Sequence, residues 1–469
     1  MQQDKGLMWF RDDLRVKDLA ALEWLAGQGQ VEALYIFDTS GTTRQLGRAS
    51  QWWLHHSLCA LARDLADYGV RLRVVSGDPE KEVPRVVEEL GATAVAWSRR
   101  YYQPWCEMDA RIKEALRGNG AEAKSFAGHL LLEPWEVETN TGGKYKVYTP
   151  FSRRAMEQLE PVTWDCGAAP EKLEGDGADV DATLAEIAGL GLLPADRGEP
   201  EWAAAFDYQP GEAGAWALAR EFFPVGGYQA ERDFPAKPAT SRLSPHLRFG
   251  EISVSSVYAL ASRVDNEGAD AQVFRKELLW RDFAWHRLFA NPHMVEESLR
   301  EKFRDFPWWK EDVDFDKVYR KQVDKSSEAG EFAAWARGET GIALVDAGMR
   351  ELMATGTMHN RVRMVVGSLL TKNLGMHWKM GEEWFWDALV DADMASNTFN
   401  WQWVAGCGDD AAPYFRIFNP ETQQKRFDVD FEYCEHWVEE LHTPFYPEPL
   451  VDLKLTRKMA LESYQALPD

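Results

Sequence analysis

The chain reads as two unlike domains in series: an α/β N-terminal domain on a parallel, Rossmann-like sheet, then an all-α C-terminal domain. Three observations predict this. Over the first third, short apolar runs alternate with helical stretches, the pattern of a sheet covered by its crossover helices. From Glu133 to Gly211, Gly, Pro, Asp and Glu become frequent, as in a connecting segment over the surface. From Glu212 onward the chain is almost continuously helical in period, punctuated by Gly and Pro. The expected boundaries are 1–132, 133–211 and 212–469.

Taken in order, Leu7–Phe10, Ala33–Phe37, Leu72–Val75 and Ala94–Trp97 have the continuous apolar character of buried strands. Leu19–Ala26, Ser50–Tyr68, Pro79–Leu90 and Trp105–Leu116 supply the helices between them. No Gly-x-Gly-x-x-Gly follows the first strand, so a dinucleotide fingerprint is absent. The connecting segment carries the polar runs Glu171–Asp181 and Pro194–Pro200 around one short helix at Ala182–Gly189. In the last domain Phe274–Phe289, Gly341–Ala354 and Arg361–Asn373 are helical, and Glu311–Gly330 reads as a charged insertion.

At 469 residues the chain is long enough for two or three domains with sizeable cores. Its 45% hydrophobic and 28% charged residues fit a globular protein. No apolar run is long enough to span a bilayer and no signal peptide is seen, which predicts a cytoplasmic protein with no membrane partner. The 5 cysteines are scattered without a Cys-x-x-Cys pair, against a disulfide framework, zinc ribbon or iron–sulfur cluster. A net charge of −23 argues against nucleic-acid binding by the whole surface. It leaves room for a local cationic face, because screening limits the reach of distant acids. The 21 tryptophans are the outlier. Most serve as core bulk, and a few are expected to be stacking platforms or electron-transfer steps.

Asp391-Ala-Asp393-Met-Ala-Ser-Asn397-Thr-Phe-Asn-Trp401-Gln-Trp403 gathers two carboxylates, an amide and two indoles in one short segment. An Asp-x-Asp alone hints at a metal, but the surroundings lack the other hard oxygen ligands, and no metal is expected. With Trp9-Phe-Arg-Asp-Asp-Leu-Arg15, Tyr148-Thr-Pro-Phe151 and Pro413-Tyr-Phe-Arg-Ile-Phe-Asn-Pro420, this segment resembles the photolyase/cryptochrome family over nearly the whole chain. Lys17-Asp-Leu-Ala-Ala-Leu22 departs from the family's usual Asp-Asn-Pro-Ala-Leu type.

The resemblance implies FAD in the helical domain, held as the reduced anion in the active form. Thr240, Ser241, Leu243 and Ser244, ahead of a helix, match the family's phosphate-binding segment, and Tyr228 matches a phosphate contact. Read alone, Ser244-Pro245 would simply start a helix. Arg363 matches the cation that pairs with an aspartate beside the isoalloxazine, here Asp391, with Asp393 bonding the ring's N3 or the ribose side. A cation there favours an anionic reduced flavin. Asn397 matches the residue facing flavin N5. Plant-type cryptochromes carry Asp there, and an amide cannot act as that acid, which favours repair over signalling.

Glu277 and Arg281 lie on one helical face, an ordinary stabilising pair; by resemblance Arg281 also counts among the cofactor residues. In enzymes that repair cyclobutane pyrimidine dimers, the glutamate bonds the dimer's base edge and the tryptophan matching Trp280 lines its pocket. Glu277, Trp280, Asn360, Met364 and Trp403 are thus the implied lesion pocket for a flipped-out dimer. The (6-4) repair enzymes carry histidines where Asn360 and Met364 stand, and plant cryptochromes carry Tyr at Trp403, so both are disfavoured. The chain looks nearest the class III photolyases, close to class I, although Thr398-Phe-Asn400 departs from their smaller residues. Arg248, Arg416, Lys425 and Arg426 are expected at the DNA backbone; Arg153 and Arg154 are equally well read as a solvated face.

Trp401 and Trp378 match the first members of the tryptophan chain that photoreduces flavin, and Trp308 or Trp309 is expected as its surface end. The N-terminal domain should hold an antenna chromophore, a folate or a deazaflavin. The implied protein is a monomer that acts on ultraviolet-damaged DNA. The alternatives are a cryptochrome-type photoreceptor, a light-independent flavin oxidoreductase, for which no nicotinamide fingerprint is present, and a binder of damaged DNA without turnover.

Overall fold

Five parallel strands, β1 (Lys5–Phe10), β2 (Gln30–Asp38), β3 (Leu72–Gly77), β4 (Ala94–Ser98) and β5 (Glu122–Phe126), form one sheet of order β3-β2-β1-β4-β5 in the computed structural model. It describes residues 5–160, 162, 166–193, 208–223, 226–264, 268–324 and 326–467. The expected run Pro194–Pro200 lies outside them. β1 and β4 are buried almost throughout, as their apolar runs require. β5, Glu-Ala-Lys-Ser-Phe, was not expected: it is an edge strand whose polar residues face solvent.

Four helices cover this sheet: α1 (Ala20–Ala26), α2 (Arg48–Ala66), α3 (Pro79–Leu90) and α4 (Gln103–Gly118). Met8, Phe10, Trp53 and Leu58 are buried together on one side, and Trp9, Trp97, Val83 and Ile112 on the other.

The connecting segment is more ordered than its composition implies. It contains α5 (Tyr148–Leu159) and α6 (Val180–Gly189), the latter capped by Asp179. Phe151 of α5 packs into the helical domain's core, and Ile187 of α6 into the sheet's. Each domain therefore keeps a piece of the connection.

The helical domain comprises α7 (Glu212–Phe222), α8 (Tyr228–Glu231), α9 (Ser244–Arg248), α10 (Val254–Val264), α11 (Ala269–Ala290), α12 (Phe315–Tyr319), α13 (Glu328–Arg337) and α14 (Ala343–Thr355). It continues through α15 (Asn360–Ser368), a π-helical turn Leu369–Asn373, α16 (Trp378–Ala388), α17 (Met394–Ala405), α18 (Pro420–Phe427), α19 (Glu432–Trp437) and α20 (Leu453–Gln465). The charged stretch after Glu311 is not a mere excursion: α12 lays Phe315 and Tyr319 against the buried Trp384.

The two domains are joined by polar contacts at the carboxyl edge of the sheet. Trp53 donates to Glu251, Val16 N–H to Glu212, and Ser50 to the Leu389 carbonyl. Gly250, at φ +65°, lies so close that a Cβ would sit 2.2 Å from the Asp12 carbonyl. Only glycine permits that approach.

Candidate functional site

Helix α17 is the axis of the site. Asp393 caps it, its Oδ1 accepting from Ser396 N–H at 2.7 Å. Just before the cap, Asp391 accepts from Arg363 of α15 at 3.0 Å and from the Ser244 hydroxyl of α9 at 2.7 Å. Arg363 is steadied by the Met358 carbonyl at 2.7 Å. Three segments far apart in sequence thus meet at one carboxylate. Its neighbourhood also includes Arg242, in the left-handed region at φ +56° and stacked 4.4 Å from the Tyr208 ring. Sequence reading passed over both. With Asp391 bound to a guanidinium and Asp393 capping a helix, neither carboxylate is arranged as a metal ligand.

One turn into α17, Asn397 is buried, and its Nδ2 donates to both the backbone carbonyl and the Oε1 of Glu382, each at 2.9 Å. A backbone carbonyl only accepts, so chemistry fixes which end of the amide faces it. The Oδ1 is left directed away from Glu382, without a hydrogen bond among the described residues. Trp401, one turn further, packs against Phe385 at 5.0 Å and against Trp335 at 6.2 Å, a neighbour not anticipated. The seat depends on Gly381, where a Cβ would lie 2.1 Å from the indole. Trp378 is fully buried and bonded to Ser298, with His377 between it and Trp308 at ring separations of 5.4 and 5.3 Å. Trp308 is itself only 9% exposed and donates to the Thr371 carbonyl. Trp309 is held through its backbone, in a bridge to Met376.

Among the remaining expected cofactor residues, Tyr228 is buried under Arg232, Leu243 is buried, and Thr240 and Ser241 lie toward solvent. These polar groups fit a flavin nucleotide. Hydroxyls and arginine lie on the accessible side, a part-buried cation is paired to one carboxylate, and an amide oxygen is unclaimed. Arg281 does not join them: it donates to the His129 carbonyl at 2.7 Å, just after β5 in the α/β domain. Burial holds His129 neutral, well below its ordinary range, so the guanidinium meets no second cation there.

The expected lesion residues lie on the outer faces of α11, α15 and α17. Trp280 stacks on Tyr148 at 3.5 Å and touches Phe399, so the Phe of Thr398-Phe-Asn400 is part of the pocket floor. Trp403 and Met364 are half-buried and Asn360 is exposed. Glu277 pairs at 2.5 Å with Arg232, which α8 delivers to it, and not with Arg281. The helical-face pair expected from spacing is therefore not formed. Arg361 is similarly drawn to Asp233, at 2.6 Å.

Of the expected backbone contacts, Arg416, Lys425 and Arg426 are exposed, as are Arg153 and Arg154. Arg248 is not available to DNA. Its side chain is only 10% exposed, bonded to Asp12 at 2.7 Å and to the Ala392 carbonyl. Burial alone would raise the Asp12 carboxyl, but Arg248 and Arg100 outweigh it and hold it down at about 2.

A second crevice opens where the strand order reverses, between β1 and β4, the place where open α/β sheets bind ligands. Trp9, Arg11, Asp38, Arg44, Trp105 and Trp386 are among its walls, and it encloses a cavity of about 70 Å³. Arginines stacked on indoles fill the rest: Arg11 on Trp9, Arg100 on Trp105 and Arg44 on Trp386, at 4.6, 4.4 and 4.3 Å. Among the described residues no helix is long and apolar enough to cross a membrane.

Known proteins resemble the chain along nearly its whole length. The family profile described as DNA photolyase matches residues 6–171, and that described as the FAD binding domain of DNA photolyase matches residues 274–466. A deoxyribodipyrimidine photo-lyase of Agrobacterium fabrum is 42% identical over 493 aligned positions, covering 98% of each chain. The crystal structure of a bacterial class III photolyase from Agrobacterium tumefaciens superimposes with a TM-score of 0.87 at 40% identity, over 99% of this chain and 98% of that one. An archaeal photolyase from Sulfolobus tokodaii, whose structure holds two FAD molecules, gives 0.77 at 28% identity, over 99% and 100%.

Proposed function

The chain belongs to the photolyase/cryptochrome family, and from that premise we infer that it is a deoxyribodipyrimidine photo-lyase, using light to repair cyclobutane pyrimidine dimers in DNA. The observation that carries the reading is the double use of α17. The helix turns Asn397 and Trp401 toward the cofactor side and Trp403 toward the open face, a turn or two apart. A donor and an acceptor of one electron need that closeness.

When bound, reduced FAD supplies the photoexcited electron that opens the dimer's four-membered ring. The protein's share is binding and electrostatics. Arg363, part-buried against Asp391, places positive charge where an anionic ring is to be held. Thr240 and Ser241 offer hydroxyls to phosphate oxygens, while the Ser244 hydroxyl is held by Asp391. Asn397 presents an oxygen and no acidic proton. At the open face, Trp280 and Trp403 take the flipped pyrimidines by stacking, and Glu277 and Asn360 bond their polar edges as charge develops there. Arg416, Lys425 and Arg426 neutralise backbone phosphates, a local exception on a chain of net charge −23. Trp401, Trp378 and Trp308 would carry electrons inward; Trp308 is buried, not the surface end expected of it, and half-buried Trp309 beside it lies nearer solvent. The crevice between β1 and β4 is the proposed antenna chamber. Pockets for organic ligands usually run to several hundred Å³, so a folate or deazaflavin needs the Arg11–Trp9 and Arg100–Trp105 stacks to part. We place the protein in the cytoplasm as a monomer.

The test is repair of ultraviolet-irradiated oligothymidine by reduced, purified protein, read as recovered thymine absorbance. Recovery in blue light and none in darkness is expected. No recovery with fully reduced FAD bound would replace this reading with a cryptochrome-type photoreceptor.

A further inference from the structure

One contact crosses from the α/β domain into the cofactor side of the site. Arg44, on the loop after β2, donates from Nη1 to Oε1 of Glu382 at 2.7 Å. The same Oε1 accepts from Asn397 Nδ2. Glu382 is fully buried, and its other oxygen lies 3.2 Å from the Lys379 ammonium. Lys379 is itself anchored on the Val295 carbonyl. A buried carboxylate survives ionised only when its charge is compensated. Here Lys379 comes from Glu382's own helix and Arg44 from the other domain.

We propose that Arg44 is a positioning residue for the flavin chemistry, acting through Glu382 on Asn397. It holds the Glu382 carboxylate against the Asn397 amide. With two acceptors on Nδ2, the amide cannot turn, and its Oδ1 stays directed toward the ring edge. Arg44 also supplies one of the two positive charges that offset Glu382, so its loss leaves the cluster more negative and disfavours a reduced anionic ring. The α/β domain thereby tunes the reducing power of a cofactor bound in the other domain. The sequence around Thr42-Thr43-Arg44 carries no motif.

The inference rests on Asn397 lying at the flavin, and the test separates the two claims. The two-electron midpoint potential of bound FAD is measured, together with FAD content, for Arg44→Gln, Arg44→Lys, Asn397→Ala, Glu382→Gln and the Arg44→Gln/Glu382→Gln double variant. Arg44→Gln is expected to keep FAD and to shift the oxidised-to-reduced ratio about tenfold toward oxidised, roughly 30 mV downward for this two-electron couple. Arg44→Lys should restore it. In the Glu382→Gln background the Arg44 effect should vanish, since a residue acting through another is not additive with it. An unchanged potential in Arg44→Gln, with a shift in Asn397→Ala, overturns the relay alone. A full Arg44 effect in the Glu382→Gln background does the same. No shift in Asn397→Ala overturns both the relay and the placement of Asn397.

Discussion

The cofactor side and the lesion side of α17 are built from the same residue types in opposite ways. On the cofactor side the groups beside the ring are held by protein partners, and the Asn397 oxygen is left open. Asp391 holds Arg363 and Ser244, Asp393 caps the helix, and Asn397 is clamped by Glu382. On the lesion side the charged groups are half-open and paired with one another, Glu277 with Arg232 and Arg361 with Asp233. A permanent cofactor rewards a site organised before it binds. A transient, extruded substrate needs groups that can exchange a protein partner for a base edge or a phosphate. The difference teaches that the two sides should fail separately.

The largest effect is expected on the closed side. Arg363→Ala strands the Asp391 carboxylate, only 6% exposed, without its cation. Breaking such a pair costs about 3 kcal/mol, on the order of a hundredfold in affinity. Protein purified from this variant should lack flavin absorbance, while circular dichroism shows the parent's helix content. Full FAD retention would mean that the pair belongs to the fold and not to the seat.

On the open side, Glu277→Ala should leave FAD content unchanged and slow repair about tenfold, the scale of one hydrogen bond to a charged group. Flavin loss in this variant would erase the division between the sides. Weaker still is the backbone contribution. Arg416→Ala should reduce the slope of log affinity against log salt by about one on damaged duplex, whereas Arg248→Ala should leave that slope alone and lower thermal stability. A salt effect from Arg248 would contradict its burial against Asp12.

What the sequence made legible follows the same line. The seat could be read because α17 and the residues leading into it carry Asp391, Asp393, Asn397 and Trp401 in one run, and Arg363 lies in a second recognisable string. The domain order was also legible, since period and composition change sharply at Glu212. What stayed hidden depended on distant partners. Nothing around Arg248 shows that Asp12, across the domain boundary, will bury it. Spacing alone paired Glu277 with Arg281, because the four-residue α8 that brings Arg232 has almost no periodic signal. Arg281 itself is claimed by His129, and α5 was masked by the acidic, Gly-rich composition around it. Gly381 offers no motif at all; only the indole lying against it reveals why a side chain cannot stand there.

The smallest expected effect concerns Lys372, a strut between the two sides. It lies in the π-helical turn beside Trp308's anchor at Thr371, and its ammonium donates to the Arg416 carbonyl at 3.0 Å, on the loop of the proposed DNA contact. The side chain is almost wholly buried, and desolvation pushes its pKa down to about 7 from the ordinary 10.5. Between those values the unfolded chain binds a proton that the folded one has released, so stability rises with pH over that window. Below about pH 7 the folded protein must bury a charged ammonium and the full cost is present. Lys372→Met removes both the cost and the hydrogen bond. Its melting temperature relative to the parent should therefore be most favourable near pH 6 and decline through pH 9, by about 1–2 °C per pH unit. A difference that is flat across this range would show that Lys372 stays protonated in the fold, and that the strut is an ordinary buried cation held by the Arg416 carbonyl and the Tyr414 ring.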